Sequence, residues 1–267
     1  MSVDHSNKLI KNMLDNKNNG RKSFIVYITG GYPDLRTTKR IIYGIDKAGI
    51  DVIEIGVPFS DPVADGPTIQ EAGCVALQNG TTLKKILNLT RSIKGKTRAA
   101  IVLMGYYNSF LRHGIAKFMK SCKSNGIDGL IIPDMVPEES GEIVKNAKKY
   151  GVSVVFLIAP NSTKERIKLA ASLSSGFLYC VSLKGVTGHR SKLPDITAYI
   201  KNVRKITKLP LAVGFGVGNN AQAGHFLEAA DGVIVGSAVI KKIRQNKGSK
   251  DLVNKVTRFV SSLKKGY

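Results

Sequence analysis

The stretch Val52-Ile53-Glu54-Ile55-Gly56-Val57-Pro58-Phe59-Ser60-Asp61-Pro62-Val63-Ala64-Asp65-Gly66-Pro67 decides how this chain reads. Its first six residues make a short apolar run, the pattern of a strand buried on both faces, and the prolines and Gly66 that follow mark a loop. Glu54 breaks the apolar pattern. An ionised, unpaired carboxylate among branched hydrocarbons costs several kcal/mol, so Glu54 must find a partner or hold its proton. A Glu bonded to a buried Lys or Arg, or one reaching out at a strand end, would fit the same pattern. Asp65 tips the balance, because its Gly/Pro-punctuated loop brings a second carboxylate over the same strand end. Two carboxylates in unlike settings suggest an acid/base pair.

Working outward, short apolar runs alternate with amphipathic stretches along the whole chain, the signal for parallel strands joined by helices. Eight strands are expected: Phe24–Thr29, Val52–Val57, Ala99–Met104, Gly129–Pro133, Val152–Leu157, Phe177–Val181, Leu211–Val213 and Gly232–Val235. Thr37–Ala48 carries Ile41, Ile42, Ile45 and Ala48 on one helical face before Gly49. Ser162-Thr163-Lys164-Glu165 has the form of a capping box opening the next amphipathic helix, with Ile167, Leu169 and Leu173. Extra helices are expected before the first strand (Leu9–Leu14) and after the second loop (Thr68–Gln78). Eight β/α units in 267 residues point to an α/β fold, a single-domain closed (β/α)8 barrel spanning 1–267. A doubly wound open sheet has the same periodicity, since spacing alone does not report closure. In such barrels chemistry sits at the carboxyl ends of the strands, where Glu54 and the Asp65 loop fall.

Composition narrows the function classes. No apolar run approaches the ~18 residues a membrane span needs, and the N-terminus lacks the features of a secretory signal or an Arg/Ser-rich transit peptide. Cys74, Cys122 and Cys180 are widely spaced, so neither a zinc site nor a disulfide framework is indicated, and a reducing compartment is expected. Forty-one Lys and Arg against 19 Asp and Glu give a net charge of +22. The cations are spread over many helices, among them Lys84, Lys85, Arg91 and Lys94, then Lys145, Lys148 and Lys149, then Lys241, Lys242 and Arg244. No basic tract or nucleic-acid signature accompanies them, so they read as a solvated basic surface.

Two glycine-rich turns suggest an anion site. Gly214-Phe215-Gly216-Val217-Gly218 follows the seventh strand, and Gly236-Ser237-Ala238 opens a helix after the eighth. Glycines let backbone N–H groups approach an anion, Ser237 adds a hydroxyl donor, and the helix start is partially positive. Each alone would pass for a tight turn; together, at the strand ends where β/α barrels bind phosphate, they read as a phosphate cup. No nucleotide-binding glycine pattern is present. The segment Ser182–Pro194 is long, glycine-hinged and polar, as either a closing lid or a solvated connection would be. His113 and His189 each stand alone without ligand spacing, so no metal site is expected. Tyr27, Tyr179, Phe215 and Tyr106-Tyr107-Asn108 supply flat surface near strand ends, for a site or for core filling.

These motifs resemble the tryptophan synthase alpha chain family. The block Ile53–Gln70 is similar to that family's signature, and the similarity extends in order through Thr29, Met104–Asn108, Pro133-Asp134, Gly185–Gly188, Gly214–Gly216 and Gly236-Ser237. The resemblance implies a TIM barrel of tryptophan biosynthesis, a carbon–carbon lyase cleaving indole-3-glycerol phosphate to indole and glyceraldehyde 3-phosphate. It implies no cofactor in this chain. It also implies a PLP-dependent beta chain as partner in an α2β2 heterotetramer, with indole passed between subunits, in the cytoplasm or a plastid stroma. Carried over by motif position, Glu54 is the general acid/base and Asp65 the second catalytic carboxylate. Tyr179, the lid residue Thr187, Gly188, Phe215, Gly216, Gly236 and Ser237 are the expected substrate-binding set, and Asp61 and Asn108 fall in loops that face the partner. Leu183-Lys184, His189, Val136-Pro137 and Gly218-Asn219-Asn220 depart from the commoner pattern. They bear on the lid and partner coupling more than on the chemistry.

Overall fold

The computed structural model describes residues 7–182, 195–214 and 216–267. Strands β1 (Ser23–Thr29), β2 (Val52–Gly56), β3 (Ala100–Met104), β4 (Gly129–Ile131), β5 (Ser153–Val155), β6 (Leu157–Ile158), β7 (Leu178–Val181), β8 (Leu211–Gly214) and β9 (Gly232–Val235) form one parallel sheet in the order β5-β4-β3-β2-β1-β9-β8-β7-β6. The two outermost members, β5 and β6, are successive pieces of one extended run interrupted at Phe156. Ser153–Val155 pairs with β4, whereas Leu157-Ile158 pairs with β7, so the chain itself closes the ring. The expected fifth strand is therefore present but split, and the open-sheet alternative is excluded.

Alternation along the strands separates two apolar layers. Ile25, Val52, Ala100, Val102, Ile131, Val155, Phe177, Tyr179, Ala212 and Ile234 fill the barrel, while Phe24, Val26, Ile53, Ile55, Leu103, Val213 and Val235 face the helices. The helix Leu35–Lys47 shows how that outer layer forms: Asp34 caps it through Thr37 N–H at 2.7 Å, and Ile41, Ile42 and Ile45 are buried. The first extra helix, Lys8–Asn18, closes the barrel floor. Asn7 accepts from Leu9 N and Ile10 N and donates to the carbonyls of Asp128 and Gly151, fixing the helix across the amino ends of the strands. Leu9 and Met13 then plug the interior, and Leu9 fits because Gly129 and Gly176 have no Cβ; one there would lie 2.7 and 2.8 Å from its side chain. The second extra helix, Pro67–Gln78, begins with Pro67 in its first turn.

One local expectation is corrected. Thr163, not Ser162, caps the helix Lys164–Leu173, accepting from Arg166 N, so Glu165 falls one place short of a capping box. The Ser162 hydroxyl is engaged instead by Ala159 N–H at 3.0 Å, in the turn before the helix.

Candidate active site

Glu54 lies at the centre of β2, paired in register with Tyr27 of β1 and Val102 of β3. It occupies the same face as Val52, which places its carboxyl inside the barrel. The residue is 0% exposed, and neither carboxyl oxygen has a hydrogen-bond partner. No cation among the described residues pairs with it. Burial alone pushes its pKa up to about 8, so near pH 7 it holds its proton. Among the described residues, then, no buried Lys or Arg locks Glu54.

Two tyrosines flank this acid. The phenol of Tyr27 lies over Gly56 and that of Tyr179 over Gly214; a Cβ on either glycine would meet the phenol oxygen at 2.1 or 2.2 Å. Tyr27 shares a hydrogen bond with the Thr29 hydroxyl at 3.3 Å. Burial and the neighbouring Glu54 and Asp65 raise both phenol pKa values, keeping the rings neutral.

Asp65 reaches the same space from the loop after β2. Its loop is held by Asp65 N–H on Pro62 O at 3.0 Å and by the Gln70 amide donating to Asp65 O at 2.9 Å. Tyr106, from the loop after β3, accepts from Ala64 N–H at 3.0 Å and stacks on Phe59, with ring centroids 5.1 Å apart. Burial raises Asp65 to about 6, and the nearby Tyr106 phenol opposes the rise. Near neutral pH the site therefore holds one protonated and one ionised carboxyl group.

Glu54, Asp65, Tyr27, Tyr179, Gly216, Gly236 and Ser237 all line one cavity of about 430 Å³ at the carboxyl ends of the strands. This is the size of a small-molecule site. At its far end Gly216 adopts φ +84°, a conformation that favours glycine, and Gly236 precedes the helix Ser237–Gln245. The first N–H groups of that helix have no intrahelical acceptor and are available to an anion. Gly218, also expected in the cup, donates its N–H to Gln222 at 2.7 Å and is spoken for. Thr187, Gly188 and Phe215 lie outside the described residues, as does His189. Asp61 and Asn108 are not in the cavity; both are exposed on the loops after β2 and β3. His113 is partly buried against Phe118, and no metal-ligand cluster forms among the described residues.

Sequence reasoning missed several lining residues. Met104 and Ile234 supply apolar wall, a role invisible against their strand pattern, and Gln222 and Phe259 arrive from helices packed beside the mouth. Lys241 and Lys242, read as solvated surface, also line the cavity. Their one available signal was position: both lie within two turns of Ser237. None of the nine strands formed by the described residues carries a lysine, so no strand-borne Schiff-base lysine is found among them.

Comparison with known proteins agrees with this geometry. The family model described as tryptophan synthase alpha chain matches residues 13–267. The tryptophan synthase alpha chain of Geotalea daltonii is 47% identical over 249 residues, covering 93% of this chain and 94% of the relative. That of Petrotoga mobilis is 46% identical, covering 91% and 95%. Among solved structures, tryptophan synthase subunit alpha from Legionella pneumophila superposes with a TM-score of 0.90 at 35% identity, covering 97% of both chains. A Mycobacterium tuberculosis tryptophan synthase chain gives 0.88 at 33% identity, covering 96% of both. Matched by the family model over 13–267, by relatives over nine-tenths of its length and by solved structures in its fold, the chain belongs to the tryptophan synthase alpha chain family.

Proposed function

We propose that this chain, acting as one domain, cleaves indole-3-glycerol phosphate to indole and glyceraldehyde 3-phosphate. The observation that carries the reading is Glu54: fully buried, without hydrogen bonds and protonated at neutral pH. Breaking the bond between the indole ring and the side chain requires a proton on the ring carbon that bears it. Glu54 delivers that proton, leaving a cationic ring and a carboxylate. The carboxylate then removes the proton of the adjacent side-chain hydroxyl. The O–H electron pair becomes the aldehyde C=O, the C–C bond breaks, and its electrons neutralise the ring. Glu54 is reprotonated at the end, so one group acts first as acid and then as base.

Asp65, ionised and beside Tyr106, balances the positive charge on the ring nitrogen during the intermediate. Tyr27, Tyr179, Met104 and Ile234 wall the ring; Gly216, Gly236 and Ser237 take the phosphate, whose binding energy aligns the scissile bond. Thr187, Gly188 and Phe215 complete the proposed substrate set. Mixing the purified chain with indole-3-glycerol phosphate and following indole release tests the reading. Release is expected from wild type and lost in Glu54→Gln; no release with or without a partner chain would refute the reaction.

The chain works with a beta chain. Val63, Leu111 and Val136 are 74%, 48% and 36% exposed on the loops after β2, β3 and β4, beside Asp61 and Asn108. Exposed apolar side chains on three connections at the same end of the barrel suit a protein partner. An α2β2 assembly, with PLP confined to the beta chain, and a cytoplasmic setting complete the proposal. No helix among the described residues is long and apolar enough to cross a membrane, and all three cysteines are free.

A further inference from the structure

The helix Ser237–Gln245 carries three cations, and they are treated differently. Arg244 is paired with Glu71 of the helix Pro67–Gln78 at 2.6 Å. Lys241 and Lys242 have no carboxylate partner among the described residues, yet both are half-buried and line the active-site cavity. Ser237 and Lys241 are four residues apart and share a helix face, and side chains on a helix lean toward its N-terminus. Lys241 therefore leans back toward the turn whose free N–H groups face the phosphate end. Lys242 is held from the other side: its ammonium lies 5.9 Å from the ring centroid of Phe259, which lines the same cavity.

This placement is costly without an anion. A half-buried ammonium gives up hydration, and neither lysine regains it from a carboxylate among the described residues. Of the two carboxyl groups in the cavity, Glu54 is neutral near pH 7, leaving Asp65 as the single negative charge among the described lining residues.

We infer that Lys241 and Lys242 form a cationic rail at the phosphate end of the cavity, which captures the dianionic phosphoryl group and sets the preference for phosphorylated over neutral substrates. The inference rests on the reading that this cavity takes a phosphate ester. The amides of Gly216, Gly236 and Ser237 fix where the phosphate sits; the two ammonium groups, on flexible stems, act over a longer range and make capture depend on salt. Their contribution is the same for substrate and transition state, since the phosphate does not react, so it enters KM and not kcat.

The test is steady-state cleavage of indole-3-glycerol phosphate from about 50 mM to about 500 mM salt, together with calorimetric binding of glycerol 3-phosphate. Wild type, Lys241→Gln, Lys242→Gln and the double variant are compared with the double Arg variant and with Lys247→Gln, a cation of the same region outside the cavity lining. In the double Gln variant KM and the glycerol 3-phosphate Kd should each rise about tenfold at low salt, with kcat changed by less than about twofold and the salt dependence flattened. Arg at both positions should restore wild-type values, and Lys247→Gln should leave them unmoved. Unchanged KM and Kd in the double Gln variant, or an equal loss in Lys247→Gln, would overturn the rail. If the lysines govern glycerol 3-phosphate binding in a chain that never releases indole, the proposed reaction fails and the rail stands. If indole is released with the same KM in wild type and double variant, the reverse holds.

Discussion

The Tyr106 phenol acts on the Asp65 carboxyl and lowers its pKa, so the second carboxylate of the site takes its electrostatic setting from the loop after β3 as well as from its own. The same phenol accepts from Ala64 N–H, and the loop behind it is anchored by Asp134, whose carboxylate accepts from Tyr107 N–H at 3.0 Å. Three consecutive strand-end loops thus bear on one carboxylate of the cavity. A carboxylate that must stabilise a transient cation gains from such prior fixing, because no reorganisation is left to do during the reaction.

Tyr106→Phe should therefore keep the fold and lose rate. Removing a hydroxyl that lowers the Asp65 pKa shifts that group upward. We expect kcat to fall about tenfold, in line with the loss of one polar group acting on a charge, and the acid limb of the pH profile to move to higher pH. Measuring kcat and kcat/KM from pH 5 to 9 in both proteins checks this.

The proposed mechanism needs Glu54 protonated and Asp65 ionised. With the two groups near 8 and 6, kcat/KM should be bell-shaped, rising through about pH 6 and falling through about pH 8. The acid limb also carries the ionisation of the substrate phosphate; the basic limb belongs to Glu54. A profile still rising at pH 9 would contradict the assignment of Glu54 as the acid.

The same carboxyl group ties stability to pH. Its ordinary value is 4.5 and its folded value about 8, so between these limits the native state keeps a proton that the unfolded chain has released. Raising the pH through this window favours unfolding; the penalty is absent below pH 4.5 and complete above pH 8. Glu54→Gln removes it. The variant should gain on wild type by up to about 1.4 kcal/mol per pH unit across the window, read as a difference in denaturant midpoints.

Gly56→Ala and Gly214→Ala should both damage the site through the tyrosines. Each new Cβ would sit within 2.2 Å of a phenol oxygen and 2.6 Å of ring carbon, so the ring must shift, and the open space beside it is the substrate cavity. A destabilisation of about 1–3 kcal/mol is expected, the usual range for overpacking, with loss of indole release. Thermal melts and the cleavage assay report the two effects separately. Gly73→Ala, with nothing within 4 Å of the added atom, is the matched control.

Most of the barrel was legible because its signal is local. A run such as Val52–Gly56, followed by turn formers and a helix such as Pro67–Gln78, is written in neighbouring residues. The break at Phe156 was not, because it arises where one strand must pair with different neighbours on its two sides. The cap at Thr163 was misread for a similar reason: the Ser162 hydroxyl had a competing bond to Ala159 N–H. Within the site, Glu54 announced itself as a charge out of place. Lys241 and Lys242 did not, since a lysine on an amphipathic helix looks the same whether its ammonium meets water or a cavity. The bond from Ala64 N–H to the Tyr106 hydroxyl joins separate loops and no spacing rule encodes it.

The central claim is that Glu54 carries its proton at neutral pH, and a carboxyl-carbon NMR titration tests it most directly. In protein labelled with carbon-13 at the glutamate side-chain carboxyl, one resonance is absent from Glu54→Gln and so belongs to Glu54. The account expects that resonance to keep the shift of a neutral acid at pH 7 and to titrate with a midpoint near 8. A midpoint near the ordinary value of 4.5 would mean that the group is ionised when substrate arrives, and would contradict it.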